Sequence, residues 1–108
     1  MLFAFSIAPS GAGAADETGS VSAAVADAVR VVRESGLPNE TTSMFTTIEG
    51  EWGECMQVIK DACDAMAAHS DRVGLVLKAD LRPGFTGQLT SKVDRVEAHL
   101  DEGERGTR

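Results

Sequence analysis

Basic residues are scarce in this chain: ten Lys and Arg stand against seventeen Asp and Glu, a formal net charge of −7 over 108 residues. That excess argues against a nucleic-acid partner, because proteins that grip a phosphate backbone present clustered Lys and Arg. No apolar stretch approaches the roughly 20 residues that span a bilayer, so no membrane partner is expected. Cysteine is limited to Cys55 and Cys63. Both fall in one helical pattern, ~12 Å apart along its axis at ~1.5 Å per residue, beyond the ~7 Å that a disulfide tolerates. Neither has a Cys-x-x-Cys partner, and neither His69 nor His99 has a second ligand at metal spacing, so no metal site is expected. Two buried thiols fit a reducing compartment, and a cytoplasmic protein is expected. The Gly/Ala-rich stretch Ser10 to Gly19 lacks the Gly-Lys-Ser/Thr ending of a phosphate-binding loop. The apolar opening Leu2 to Ala8 lacks the basic flank of a secretion signal and runs directly into Pro9.

What the chain does have is the patterning of one small globular domain, with 43% hydrophobic and 25% charged residues. Leu2 to Ala8 alternates and reads as a strand stopped by Pro9; its two mostly apolar faces suggest a central position. Ser20 is a suitable N-cap for a helix with the apolar stripe Val21, Val25, Ala28, Val29 and Val32, and Gly36 and Pro38 form its stop signal. Asn39 to Glu49, rich in Thr, reads as two short strands breaking near Ser43 to Phe45. After Gly50 to Gly53 comes a second helix whose core side carries Met56, Ile59, Cys63 and Met66, flanked by Cys55 and Ala62. Leu89, Val93, Val96 and Leu100 space a third, shorter helix, and Asp101 to Arg108 reads as a charged, frayed tail beyond a domain of residues 1–100.

The run Val73 to Arg82 separates into two rows. Val73, Leu75, Leu77, Ala79 and Leu81 are apolar, whereas the alternate row passes from Gly74 and Val76 to Lys78, Asp80 and Arg82. Side chains alternate along a strand, so this pattern predicts one face on the core and three charges on the other.

The order strand, helix, strand, strand, helix, strand, helix is the split βαβ pattern of an α+β, ferredoxin-like βαββαβ domain. It implies an antiparallel sheet in the order 4-1-3-2, two helices on one face, and an additional C-terminal helix. Placing Phe3, Phe5, Ile7, Ile48, Leu75 and Leu77 under the helices leaves Ser6, Thr47, Glu49, Lys78, Asp80 and Arg82 on the open face. Such a half-apolar face suits a surface shared with another subunit around a small ligand, so a homodimer or larger is expected. The same charges could equally fix register across a subunit interface without a ligand, which would make the protein an oligomeric regulatory or interaction module. A catalytic constellation is not evident, since neither His has a neighbouring acid in a recognisable arrangement. A Glu49 general base is the one enzymatic candidate.

Four segments, Phe5-Ser6-Ile7-Ala8-Pro9, Arg33-Glu34-Ser35-Gly36-Leu37, Met44-Phe45-Thr46-Thr47-Ile48-Glu49-Gly50 and Lys78-Ala79-Asp80-Leu81-Arg82, occur in an order and spacing that resemble the small thiamine-binding protein family. The resemblance spans about residues 2–100. It implies a non-enzymatic binder of thiamine or its hydroxymethylpyrimidine moiety, with no cofactor required, assembled as a homodimer or homotetramer. It also implies ligand contacts among Ser6, Thr46, Thr47, Glu49, Lys78, Asp80 and Arg82. The chain departs from the family pattern at Phe45, where a Gly is expected before the Thr, and in the length of the Ser10 to Gly19 insertion. Ser, Thr and carboxylate groups suit an aminopyrimidine; Glu49 or Asp80 would favour a thiazolium cation, and Lys78 or Arg82 a phosphorylated form.

Overall fold

A computed structural model describes residues 1–11 and 21–106, with side chains for all of these except 92 and 102–106. The elements are β1 (Leu2–Ser10), α1 (Ser22–Glu34), β2 (Asn39–Thr41), β3 (Thr46–Glu49), α2 (Trp52–Ala67), β4 (Arg72–Asp80) and α3 (Gln88–Gly106). The four strands form one sheet in the order β2-β3-β1-β4, and every neighbouring pair is antiparallel. This is the ferredoxin-like α+β arrangement expected from the element order, with β1 central.

The core lies on one face of the sheet. Phe3, Phe5 and Ile48 meet Ala24, Ala28 and Val32 of α1 and Cys55, Ile59, Ala62 and Met66 of α2. Of the expected α1 stripe Val21, Val25, Ala28, Val29 and Val32, Ala28 and Val32 are buried together with Ala24, whereas Val21 and Val25 are exposed. Small side chains at 24 and 28 suit the packing of α1, which lies chiefly against α2, and Val21 and Val25 are left facing solvent. On α2 the fully buried positions are Cys55, Ile59, Ala62 and Met66, and Met56 and Cys63 lie partly buried at the margin. The Cys55 thiol is pushed up to about 11 by that burial, helped by the Glu54 carboxylate.

The local signals explain most boundaries. Gly36 takes a positive φ of 80° just beyond α1, the left-handed conformation that glycine adopts without penalty. α1 begins at Ser22 with Val21 at its N-cap and no side-chain cap; Ser20, the expected cap, lies outside the described residues. The break between β2 and β3 is closed by Thr42, whose N–H donates to the Phe45 carbonyl at 2.9 Å and whose Oγ1 accepts from the Phe45 N–H at 3.2 Å. At the start of α2 the Glu51 N–H donates to Glu54 Oε1 at 2.9 Å. A Cβ at Gly50 would fall 2.6 Å from that same oxygen and 3.0 Å from Cys55 Sγ, so a larger residue there would displace the Glu54 carboxylate from its capping position.

Three expectations about the later elements are corrected. β4 ends at Asp80, so Leu81 and Arg82 lie beyond the strand, and Leu81 is 53% exposed. The apolar row of β4 is also not a buried one: Val73 and Leu77 are partly buried against the core, but Leu75 is 44% exposed and Ala79 is exposed. The reason is position, since β4 is an edge strand and its hydrophobic face extends past the helices. α3 is longer than its apolar spacing suggested and includes Asp101 to Gly106. Val93, Val96 and Leu100 on it are each more than half exposed.

Candidate ligand site

The register assigns each expected site residue to a face. On the open face Glu49, Leu2 and Asp80 form one cross-strand row, and Glu40, Thr47, Ala4 and Lys78 form the next. Thr47 and Lys78 thus flank Ala4, as Glu49 and Asp80 flank Leu2. Thr46 alternates to the helix-covered face, opposite Phe5. Arg82 lies outside the sheet with its guanidinium 3.7 Å from the centre of the Phe85 ring, a cation–π contact.

Both carboxylate oxygens of Glu49 are engaged. Its Oε2 accepts from the Gln88 N–H at 2.8 Å and its Oε1 from the Leu89 N–H at 3.3 Å, with the residue only 6% exposed. A strand carboxylate therefore caps the first turn of α3 across 39 and 40 positions of sequence. Carboxylates are favoured at this end of a helix both by its free N–H groups and by its dipole. The arrangement fastens α3 to the open face and gives the Glu49 carboxylate a capping role.

A cavity of about 190 Å³ lies on the other face, between the sheet, α1 and the β2–β3 turn. Its origin is the length mismatch between strands. β3 pairs with β1 only from Leu2 to Phe5, so from Ser6 onward that side of β1 has no β3 partner and the turn folds away from it. Phe5, Ile7 and Met66 meet Val25, Ala28, Val29 and Val32 along the apolar walls. The turn supplies Thr41, Thr42, Ser43 and Thr46, with Met44 and Phe45 among the lining residues, and Ser6, which alternates to the open face opposite Val76, borders the cavity at the stretch of β1 that β3 leaves unpaired. Phe45 is 37% exposed and Met44 is 73% exposed, which puts both at the mouth.

Among the described residues, no Lys, Arg, Asp, Glu, His or Cys lines this cavity. Of the expected site residues, it brings together Ser6 and Thr46; it does not bring in Thr47, Glu49, Lys78, Asp80 or Arg82. The Thr41-Thr42-Ser43 cluster was legible in the sequence only as strand propensity. The departure at Phe45 was the better signal, because it marked the position where the turn shapes the mouth. His69 is elsewhere: its Nε2 lies 2.6 Å from Asp27 Oδ2, joining α1 to the segment after α2. Among the described residues no cluster of His, Cys, Asp or Glu could hold a metal ion, and no helix is long and apolar enough to cross a membrane.

Residues 3–97 match the family described as Thiamine-binding protein. The chain belongs to that family. It is 48% identical over 101 residues to the UPF0045 protein Mb1933 of Mycobacterium bovis, covering 93% of this chain and 94% of that one. The crystal structure of protein MJ1052 from Methanocaldococcus jannaschii aligns with a TM-score of 0.75 at 31% identity, over 89% of this chain and 94% of that one. A Bacillus cereus domain of unknown function, DUF77, aligns with a TM-score of 0.73 at 30% identity, over 85% of each chain.

Proposed function

We propose that this protein binds thiamine or its hydroxymethylpyrimidine moiety without turning it over, with the pyrimidine ring held in the cavity between α1 and the β2–β3 turn. The observation that carries this reading is the chemistry of that cavity: apolar walls, a hydroxyl-bearing rim and, among the described residues, no charged lining residue. An aminopyrimidine is neutral and flat, with an amine donor and ring-nitrogen acceptors that hydroxyls can serve. A thiazolium cation or a phosphate would find no counter-charge among the described lining residues and is assigned to the mouth or beyond it.

Size leads to the same division. Pockets for drug-sized ligands run to roughly 300–1,000 Å³, so a cavity of about 190 Å³ suits one substituted ring rather than the two of thiamine. Ser6 and Thr46 are the ligand contacts retained by this reading. Thr47, Lys78 and Asp80 are assigned to contact with a second subunit in a homodimer or homotetramer, Glu49 to holding α3, and Arg82 to its stack on Phe85. The family description agrees with a thiamine-related ligand. Among the described residues no carboxylate, imidazole, amine or thiol lines the cavity, which favours binding over catalysis.

Thermal unfolding with and without hydroxymethylpyrimidine, thiamine and thiamine phosphates tests the proposal. Free ligand at 100 times its dissociation constant is expected to add ~2.7 kcal/mol to stability, and hydroxymethylpyrimidine alone is expected to suffice. No shift with any of these compounds would refute the reading, and consumption of the ligand during incubation would replace binding by catalysis.

A further inference from the structure

On the pyrimidine reading of the cavity, on which this step rests, we propose that Thr41 accepts a hydrogen bond from the amino group of the bound ring. Thr41 thereby determines which pyrimidines are held and which way round they lie.

The hydroxyl residues around the cavity are Ser6, Thr41, Thr42, Ser43 and Thr46, and they are not equivalent. Thr42 is committed to its own turn, its Oγ1 donating to the Phe45 carbonyl at 3.0 Å and accepting from the Phe45 N–H at 3.2 Å. Ser6 alternates to the open face opposite Val76, and Ser43 stands in the turn outside the strands. Thr41 and Thr46 remain, and they are register partners, the pair that ends the β2–β3 ladder at the turn. Thr46 in turn faces Phe5, and Phe5 faces Leu77. One cross-strand row on the helix-covered face therefore runs Leu77, Phe5, Thr46, Thr41, changing from apolar to hydroxyl as it nears the β2 edge. Directly opposed residues on antiparallel strands have Cβ atoms ~5 Å apart, so the two threonine side chains stand next to each other. Among the described residues neither of their hydroxyls has a hydrogen-bond partner. The Thr42 bonds fix the turn directly after Thr41, so the pair is held in place before a ligand arrives.

An aminopyrimidine carries its amino group beside a ring nitrogen, a donor next to an acceptor on one edge. A threonine hydroxyl both donates and accepts, so two of them side by side serve that edge together. The open side of the cavity decides which takes which. Thr46 is half-buried beside Phe5, whereas Thr41 is exposed on the edge strand β2. The substituent that links this ring to the thiazolium sits on the carbon next to the amine-bearing one. With the ring nitrogen on Thr46 and the amine on Thr41, that substituent points outward past the β2 edge, on the side of the exposed Met44. The reverse orientation would drive it toward Phe5, which is buried in the core. An amine that entered without meeting Thr41 would give up its hydrogen bond to water and gain none, which makes the contact selective.

The test is calorimetric titration of two ligands, hydroxymethylpyrimidine and its analogue lacking only the amino group, into the full chain and its variants. Valine keeps the branched shape and strand preference of threonine, so Thr41→Val and Thr46→Val are expected to fold as the unaltered protein does. The unaltered protein is expected to bind the parent ligand about tenfold more tightly than the analogue. Thr41→Val is expected to lose about tenfold for the parent and to stay within about twofold for the analogue, so that the preference for the amine disappears. Thr41→Ser, which keeps the hydroxyl, is expected to retain the preference. Thr46→Val is expected to weaken both ligands alike, because both carry the ring nitrogen. Equal losses for the two ligands in Thr41→Val, or no loss for either, would overturn the role of Thr41 while the pyrimidine reading stands. A loss confined to the parent ligand in Thr46→Val would overturn the orientation in the same way. No binding of the parent by the unaltered protein would overturn the pyrimidine reading and this assignment with it.

Discussion

β1 and β4 are neighbouring strands of nine residues each, paired along their whole length, and both alternate apolar side chains toward the helix-covered face. Yet β1 buries Phe3 completely and Phe5 almost so, while β4 has no fully buried residue. The patterns are similar; the positions are not. β1 has strands on both sides and helices above it, whereas β4 ends the sheet and projects beyond α1 and α2. Alternation thus specifies which face a residue takes, and the number of neighbouring elements decides how much of that face is removed from water. The uncovered region is further extended by α3, which is capped by Glu49 at its first turn and carries Val93, Val96 and Leu100 out toward solvent. The molecule measures 57 Å in its longest dimension against 20 Å in its shortest.

The largest expected effect would break this contrast at its buried side. Phe3, stacked edge-on against Trp52 with ring centres 5.8 Å apart, is expected to cost about 3–5 kcal/mol when replaced by Ala, as buried aromatics do. Leu75→Ala on β4 is expected to cost less than about 1 kcal/mol in dilute urea denaturation. The loss should grow with protein concentration if a second copy covers it. Equal costs for the two variants in the monomer would refute the contrast.

Next in size is the attachment of α3. Glu49→Ala removes both oxygens that cap its first turn, and the expected cost is about 1–2 kcal/mol by analogy with other helix caps, with lower ellipticity at the helix band. Ligand affinity should change little, because Glu49 does not line the cavity. A large loss of affinity with unchanged apo stability would restore Glu49 to the ligand site.

The thiols offer a smaller, kinetic test of the covered side. With burial holding Cys55 at about 11 and also raising Cys63, both should react with iodoacetamide at pH 8 far more slowly than in the urea-unfolded chain. Rapid labelling of Cys55 under native conditions would mean that α2 does not seal the core.

The smallest effect concerns the polar tie between α1 and the segment after α2. The hydrogen bond from His69, and then Arg30, hold Asp27 below its ordinary value of 3.8. A lowered folded-state value means that the stabilisation is present above the unfolded value near 3.8 and is lost as pH falls through the lower folded one. Asp27→Asn should therefore flatten the dependence of stability on pH below about 4 and leave melting near pH 7 almost unchanged. An unchanged acid limb would show that the pair contributes nothing.

Much of this architecture is legible in the sequence because its signals are local. Strand alternation, the Gly36–Pro38 stop and the helical stripes suffice to order the elements, and the split βαβ rule then yields the sheet order. What is not legible arises from lengths and from distant partners. Nothing local to Glu49 says that its carboxylate caps a helix starting at Gln88, and a polar residue on an open sheet face looks the same whether it binds a ligand or a helix end. The cavity depends on β3 being shorter than β1, a difference set by where the Thr42–Phe45 turn closes. Thr46 shares a segment with Thr47 and Glu49, but strand alternation places it on the opposite face, so the proposed site combines residues that the sequence alone would divide differently.

The most direct test of the central claim is calorimetric titration of hydroxymethylpyrimidine into the unaltered protein, Thr46→Val and Lys78→Ala. The account predicts saturable binding to the unaltered protein, at least tenfold weaker binding to Thr46→Val, and binding to Lys78→Ala within twofold of the unaltered protein. Affinity lost in Lys78→Ala and retained in Thr46→Val would contradict it and place the ligand on the open face of the sheet.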